Sequence, residues 1–141
     1  MILLDTNVIS ALMREKPEPA VLDWINKQPP SEVWTTSVSV FEIRHGLGRM
    51  ATGRRRRGLE TVVEAFLTED LADRIAILDR AAADAAGSLA ARREAAGRAP
   101  DIRDTLIAGI ALARRAAIAT RNVKHFSDLD VPVIDPWGGE P

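Results

Sequence analysis

The chain has 141 residues, 46% of them apolar, and a formal net charge of −1. That is the size of one domain with a sizeable core, and residues 1–141 read as a single domain without a linker or internal repeat. There is no cysteine, which excludes disulfides, thiolate metal sites and a cysteine nucleophile. Two histidines argue against a multi-histidine zinc site. A near-neutral chain with no Tyr, three Trp and three Phe is neither a bulk polycation nor a base-stacking platform. No apolar run approaches the roughly 20 residues of a membrane span. The opening Met1-Ile2-Leu3-Leu4-Asp5 lacks the basic start of a signal peptide, so the expected location is cytoplasmic, with no membrane partner.

Ile2 to Leu4 reads as a first strand ending on an acid. Thr6 or Asn7 is placed to cap a helix through Val8–Met13. Glu15–Pro19 is a loop, with Pro19 suited to a first helical position. Ala20, Val21, Trp24 and Ile25 then follow at helical spacing until Pro29-Pro30-Ser31. Val33–Thr36 is a second strand. Ser37 or Ser39 opens a helix carrying Val40, Phe41, Ile43 and Leu47. After the glycines at 46, 48 and 53, the block Arg54–Arg57 begins a helix through Leu59, Val62, Val63, Phe66 and Leu67.

Ile75–Leu78 is the third candidate strand, and Asp79 caps an alanine-rich helix reaching about Ala96. Gly97-Arg98-Ala99-Pro100 breaks it, and Asp101 starts a helix with Leu106, Ile107, Ile110 and Leu112. Ala116–Thr120 and Val131–Ile134 complete about five strands. Strands that alternate with helices predict the α/β class, with a central parallel sheet covered on both faces. Ligands bind such sheets at the carboxyl ends of the strands. Asp5 and the pair Arg121-Asn122 are therefore expected on one edge.

Four polar residues sit where they could converge there. Asp5 follows a buried strand, although a cap or turn acid reads the same way. Glu42 lies early in a helix among apolar neighbours, where the helix dipole alone would favour it. Asp101 and Asp104 share a helical face at i,i+3; Asp104 is the better ligand candidate and Asp101 the cap or outer support. Asn122 is a turn residue by type, able to offer a carbonyl oxygen but no charge. Asp128 and Asp130 read as loop acids. Oxygen donors from separate segments, without thiolates or enough imidazoles, suit Mg²⁺ or Mn²⁺. Such an ion activates water and offsets charge on a phosphate under attack.

Leu4-Asp5-Thr6-Asn7-Val8-Ile9, Val40-Phe41-Glu42-Ile43, Asp104-Thr105-Leu106-Ile107-Ala108 and Ala119-Thr120-Arg121-Asn122-Val123-Lys124-His125-Phe126 occur in that order. Together they resemble the PIN-domain ribonucleases. The match is to the VapC toxins of toxin–antitoxin pairs, especially the FitB-like branch, which the ending Val133-Ile134-Asp135-Pro136-Trp137 also resembles. The resemblance implies a three-layer α/β/α domain and Mg²⁺- or Mn²⁺-dependent cleavage of RNA. It puts Asp5, Glu42, Asp104 and Asn122 on the catalytic positions, with Asp5 and Asp104 as metal ligands. Thr6, Asn7, Asp101 and Thr120 are expected to support them, and Arg121 to meet RNA phosphate.

A homodimer and a small DNA-binding antitoxin are the partners the resemblance implies. The chain departs from the pattern at Asn122, which removes a charge, and at His125, where many relatives carry Asp. Both departures thin the acidic set and argue against a second metal. They also motivate an alternative: a catalytically weak binding module acting with a DNA-binding antitoxin in operon repression. A DNA nuclease on the same fold is a further alternative. Arg54–Arg57 could track RNA or meet an acidic antitoxin, or be a solvated segment. Trp24, Trp34 and Trp137 read as core or interface, and His45 and His125 as incidental.

Overall fold

The computed structural model describes residues 1–99 and 101–138. Five strands form one parallel sheet: β1 (Ile2–Leu4), β2 (Val33–Thr36), β3 (Ile75–Ala76), β4 (Ala117–Ala119) and β5 (Val133–Ile134), in the spatial order β3-β2-β1-β4-β5. Six α-helices connect them: α1 (Thr6–Met13), α2 (Pro19–Asn26), α3 (Ser37–Gly48), α4 (Arg54–Ala65), α5 (Arg80–Ala95) and α6 (Ile102–Arg114).

Alternation along each strand sorts the core into two clusters. Leu3 and Ile118 face a cluster with Ala82, Leu89, Ile107, Ile110 and Phe126, the side of α5 and α6. Leu4 and Ala119 face one with Val8, Ile9, Val21, Leu47, Val63 and Phe66, the side of α1, α2 and α4. The result is the expected three-layer α/β/α arrangement. Trp34 packs on the first cluster, and Trp24 and Trp137 on the second. Helices α5 and α6 approach very closely at Gly109, where a Cβ would lie 2.5 Å from the Ala82 carbonyl oxygen and 2.6 Å from Ala86 Cβ. Among the described residues no helix is long and apolar enough to cross a membrane.

Several boundaries differ from expectation for identifiable reasons. The third strand stops at Ala76, because its neighbour β2 ends at Thr36 and turns into α3. Ile77 and Leu78 are consequently exposed. The fifth strand begins at Val133, since Pro132 has no N–H to give the ladder, although its carbonyl still accepts from Ile118 N. Helix α4 ends at Ala65 and continues as a widened turn over Phe66–Asp70, where Leu71 N donates to Phe66 O. Asp79 and Asp101 cap α5 and α6 as expected. Pro100, expected to help break the chain before α6, lies outside the described residues.

The first helix corrects the expected cap: Asp5, not Thr6 or Asn7, caps α1, its Oδ1 accepting from Thr6 N at 2.8 Å. Thr6 and Asn7 are engaged elsewhere. The chain winds from β1 through β2 to β3, then returns to the other side of β1 with β4 and β5. The connection therefore changes direction between β1 and β4, and a crevice at that point is where open α/β sheets bind ligands.

Candidate active site at the sheet switch point

Asp5 stands at the end of β1 and Thr120 at the end of β4, side by side across that crevice. The Asp5 carboxylate is 4% exposed and well held. Oδ2 accepts from Thr120 Oγ1 at 2.7 Å and Asn7 Nδ2 at 3.3 Å. Asn7 also accepts from Arg121 N at 3.2 Å, which ties the start of α1 to the chain leaving β4. Burial pushes the Asp5 carboxyl above its ordinary range, opposed by the Thr120 and Thr6 hydrogen bonds and reinforced by the charge of Asp104.

Glu42 comes from α3. Its Oε1 accepts from Thr6 Oγ1 at 2.9 Å, and Arg103 Nη1 approaches Oε2 at 3.6 Å. Its pKa is also raised, first by burial, with Asp5 and Asp104 adding like-charge repulsion against the pull of Thr6 and Arg103. Asp104 sits in the first turn of α6, its backbone N–H capped by Asp101 Oδ1 at 3.1 Å. His125 Nδ1 meets Asp104 Oδ2 at 2.6 Å. Asp5, Glu42 and Asp104 thus converge closely enough to feel one another's charge. Thr6 donates to both Asp5 and Glu42, Asn7 and Thr120 donate to Asp5, and Asp101 caps the Asp104 N–H.

Asn122 is exposed, and among the described residues its carboxamide makes no hydrogen bond; its backbone N–H donates to Thr120 Oγ1 at 3.0 Å. Arg121 lies over the Trp137 ring, 4.9 Å from the centroid, a cation–π contact. Sequence reasoning missed the roles of His125, Arg103 and Arg93, and took Asp128 for a loop acid. Asp128 is instead the ion-pair partner of the buried Arg93 at 2.8 Å, which pulls its carboxyl down to about 2. Arg93 could have been found by its spacing, since it continues the buried stripe Ala82, Ala86, Leu89 of α5.

A groove of about 790 Å³ opens beside Thr6 and Glu42 and runs between α1, α3 and α4. Ile9, Met13, Ile43, Leu47, Leu59 and Val63 line its floor, with Arg14 and Arg55 among its polar lining. Arg56, next in the basic block, is paired to Glu60 at 2.7 Å.

Among the described residues no three His, Cys, Asp or Glu side chains form a cage for an ion. The donor set nevertheless fits Mg²⁺ or Mn²⁺. Its members are hard carboxylate oxygens that repel one another without a cation, and Mg²⁺ is commonly held by one or two carboxylates with the rest of its shell as water.

The fold and the acids at its switch point define a class. A profile of the PIN domain matches residues 2–132, and the chain belongs to that family. Similar proteins include the plasmid stability protein StbB of Pseudomonas syringae pv. tomato, 39% identical over 97% of this chain and 99% of the relative. The VapC ribonuclease Y4jK of Sinorhizobium fredii is 34% identical over 97% of this chain and 98% of its own. The structure of FitAB bound to an IR36 DNA fragment superposes with a TM-score of 0.89 at 30% identity, covering 100% of this chain and 99% of the matched one.

Proposed function

We propose that the protein is a metal-dependent endoribonuclease serving as the toxin of a type II toxin–antitoxin pair. The observation that carries this reading is the convergence of Asp5, Glu42 and Asp104 at the switch point, with Asp5 fixed by Thr6, Asn7 and Thr120. The relative named VapC ribonuclease supports nuclease activity.

Asp5 and Asp104 would hold one Mg²⁺ or Mn²⁺, which when bound supplies a Lewis acid for the phosphate and lowers the pKa of water. Thr120 and Asn7 keep the Asp5 carboxylate oriented toward the crevice without themselves carrying charge. Glu42, with its raised pKa and its Thr6 and Arg103 contacts, is placed to take a proton from the attacking water or to align it. Asn122 contributes at most a neutral oxygen to this site. Arg121 contacts RNA phosphate from its seat on Trp137.

The apolar groove beside Glu42 receives a segment of a small DNA-binding antitoxin, encoded alongside, that blocks the site. The DNA-bound FitAB complex, so similar in fold, supports such a partner. A second copy of the chain covers the exposed apolar face formed by Phe41, Leu78 and Ile102, and the homodimer acts in the cytoplasm. The competing reading, a binding module with little activity, draws on the uncharged, exposed Asn122.

The test is cleavage of total RNA by antitoxin-free protein with Mg²⁺ or Mn²⁺, beside EDTA and D5A controls. Metal-dependent cutting that D5A abolishes is the expected result. A folded sample that binds Mn²⁺ and cuts nothing across tRNA, ribosomal RNA and mRNA would sink the nuclease in favour of the binding module.

A further inference from the structure

Arg93 is 5% exposed, on the apolar face of α5. A charge at such a depth is strongly unfavourable unless every donor finds a partner. Its guanidinium forms a two-pronged pair with Asp128, Nε to Oδ2 at 2.9 Å and Nη2 to Oδ1 at 2.8 Å. The remaining contacts reach the active site. Nη2 also donates to the His125 carbonyl at 2.8 Å, and Nη1 donates to Thr105 Oγ1 at 3.2 Å.

Both acceptors belong to segments that meet at Asp104. Thr105 is the next residue on α6, and its hydroxyl donates to the Asp101 carbonyl at 2.8 Å. Asp101 in turn caps the Asp104 N–H. His125 lies in the helical turn Val123–Phe126, and its ring is the direct contact of the Asp104 carboxylate. One guanidinium therefore joins α5, the first turn of α6 and the turn after β4.

We infer that Arg93 is a positioning residue for the candidate active site: by gripping the His125 carbonyl and the Thr105 hydroxyl it sets the His125 ring against Asp104. The planar fork is what permits this, since a lysine would keep the charge but could not span Asp128, Thr105 and His125 together. Arg98 also pairs with Asp128, at 2.9 Å, but touches neither His125 nor Thr105 by hydrogen bond. That Asp104 holds a cation rests on the function proposed above; the grip on His125 does not.

The experiment uses the full chain and reads the His125 ring by nitrogen–proton NMR without metal, and Mn²⁺ binding by water-proton relaxation. Circular dichroism and thermal melts establish that each variant is folded. R93K and D128N should both shift the His125 ring resonances from their wild-type positions, and weaken Mn²⁺ binding by about 10- to 100-fold, the usual cost of losing a partner behind a ligand. H125A should weaken it to a similar extent, and R93K/H125A no further, because the two act in series. R98Q should leave both readouts unchanged.

A folded R93K or D128N with the wild-type ring resonances overturns the inference. So do effects of R93K and H125A on Mn²⁺ that simply add. If the wild type binds no Mn²⁺, the proposed metal site fails, while the ring resonances still decide the role of Arg93.

Discussion

The two acids expected to hold the ion are built in opposite ways. Asp5 is sealed between two adjacent strand ends, with three donors on its carboxylate, and its own side chain caps the helix that follows. Asp104 stands on a helix end, partly exposed, and its carboxylate is held through a histidine on a turn that is itself held by a buried ion pair. The sheet fixes the first acid by backbone register, while the second depends on side chains reaching between elements. Rigidity on one side and a relay on the other make different faults fatal.

Removing the rigid side should have the largest effect. D5A is expected to lower RNA cleavage by more than the roughly 100-fold that loss of an outer partner can cost, and to destabilise α1 by about 1 kcal/mol through the lost cap; cleavage rates and urea melts read the two. T120V comes next. Thr120 is fully buried, and its hydroxyl serves Asp5, Asn7 and the Asn122 N–H at once. Valine leaves those groups short, at a cost of about 1–3 kcal/mol of stability and about tenfold or more in rate. By contrast H125A should cut cleavage by about tenfold yet change stability by less than about 1 kcal/mol, because the ring is half-exposed. Equal stability losses in T120V and H125A would contradict the distinction drawn here.

Helix α6 carries Asp104, so crowding it against α5 disturbs the relay side alone. G109A should cost about 1–3 kcal/mol by overpacking, with activity falling through Asp104 while the hydrogen bonds of Asp5 persist; a thermal melt and Mn²⁺ titration test this.

The smallest effect is one of pH. Arg93 holds Asp128 at about 2 in the folded chain against an ordinary 3.8. A lowered pKa contributes stability that is complete above the unfolded value and lost as pH falls through the folded one. The stability difference between wild type and D128N should therefore be level above about pH 4 and shrink toward pH 2. A difference that grew on acidification would remove the ion pair from the account.

The rigid side was the legible one. Ile2–Leu4 followed by Asp5, the second strand at Val33–Thr36, Pro19 at a helix start and the Asp79 and Asp101 caps all follow local rules, and the structure keeps them. Asp104 was legible as a first-turn acid of α6 and Glu42 as an acid further along α3, but their nearness to Asp5 needed the strand order. What local pattern hid was long-range pairing. Arg93 and Asp128 are 35 positions apart, and nothing near Asp128 distinguishes it from a solvated loop acid. His125 read as incidental because its partner lies 21 positions away. For Asp5 a cap and a ligand were alternative readings of one position, with Thr6 and Asn7 offered as caps beside it, and the structure shows the cap. Its Oδ1 closes the helix, and in the proposed site the same oxygen would also meet the ion.

That sharing of one oxygen bears on which ion the proposed site would accept. A carboxylate oxygen has two lone pairs. On Asp5, Oδ2 already receives the Thr120 and Asn7 donors, whereas Oδ1 receives the Thr6 N–H alone. Asp5 is left with one open lone pair, on Oδ1, and in the proposed site would offer a cation a single contact. Mg²⁺ and Mn²⁺ suit that offer, filling an octahedron with water. Calcium, which gathers six to eight oxygens and often takes both arms of a carboxylate, does not. In the proposed site Thr120 and Asn7 would thereby narrow the choice of metal without touching it.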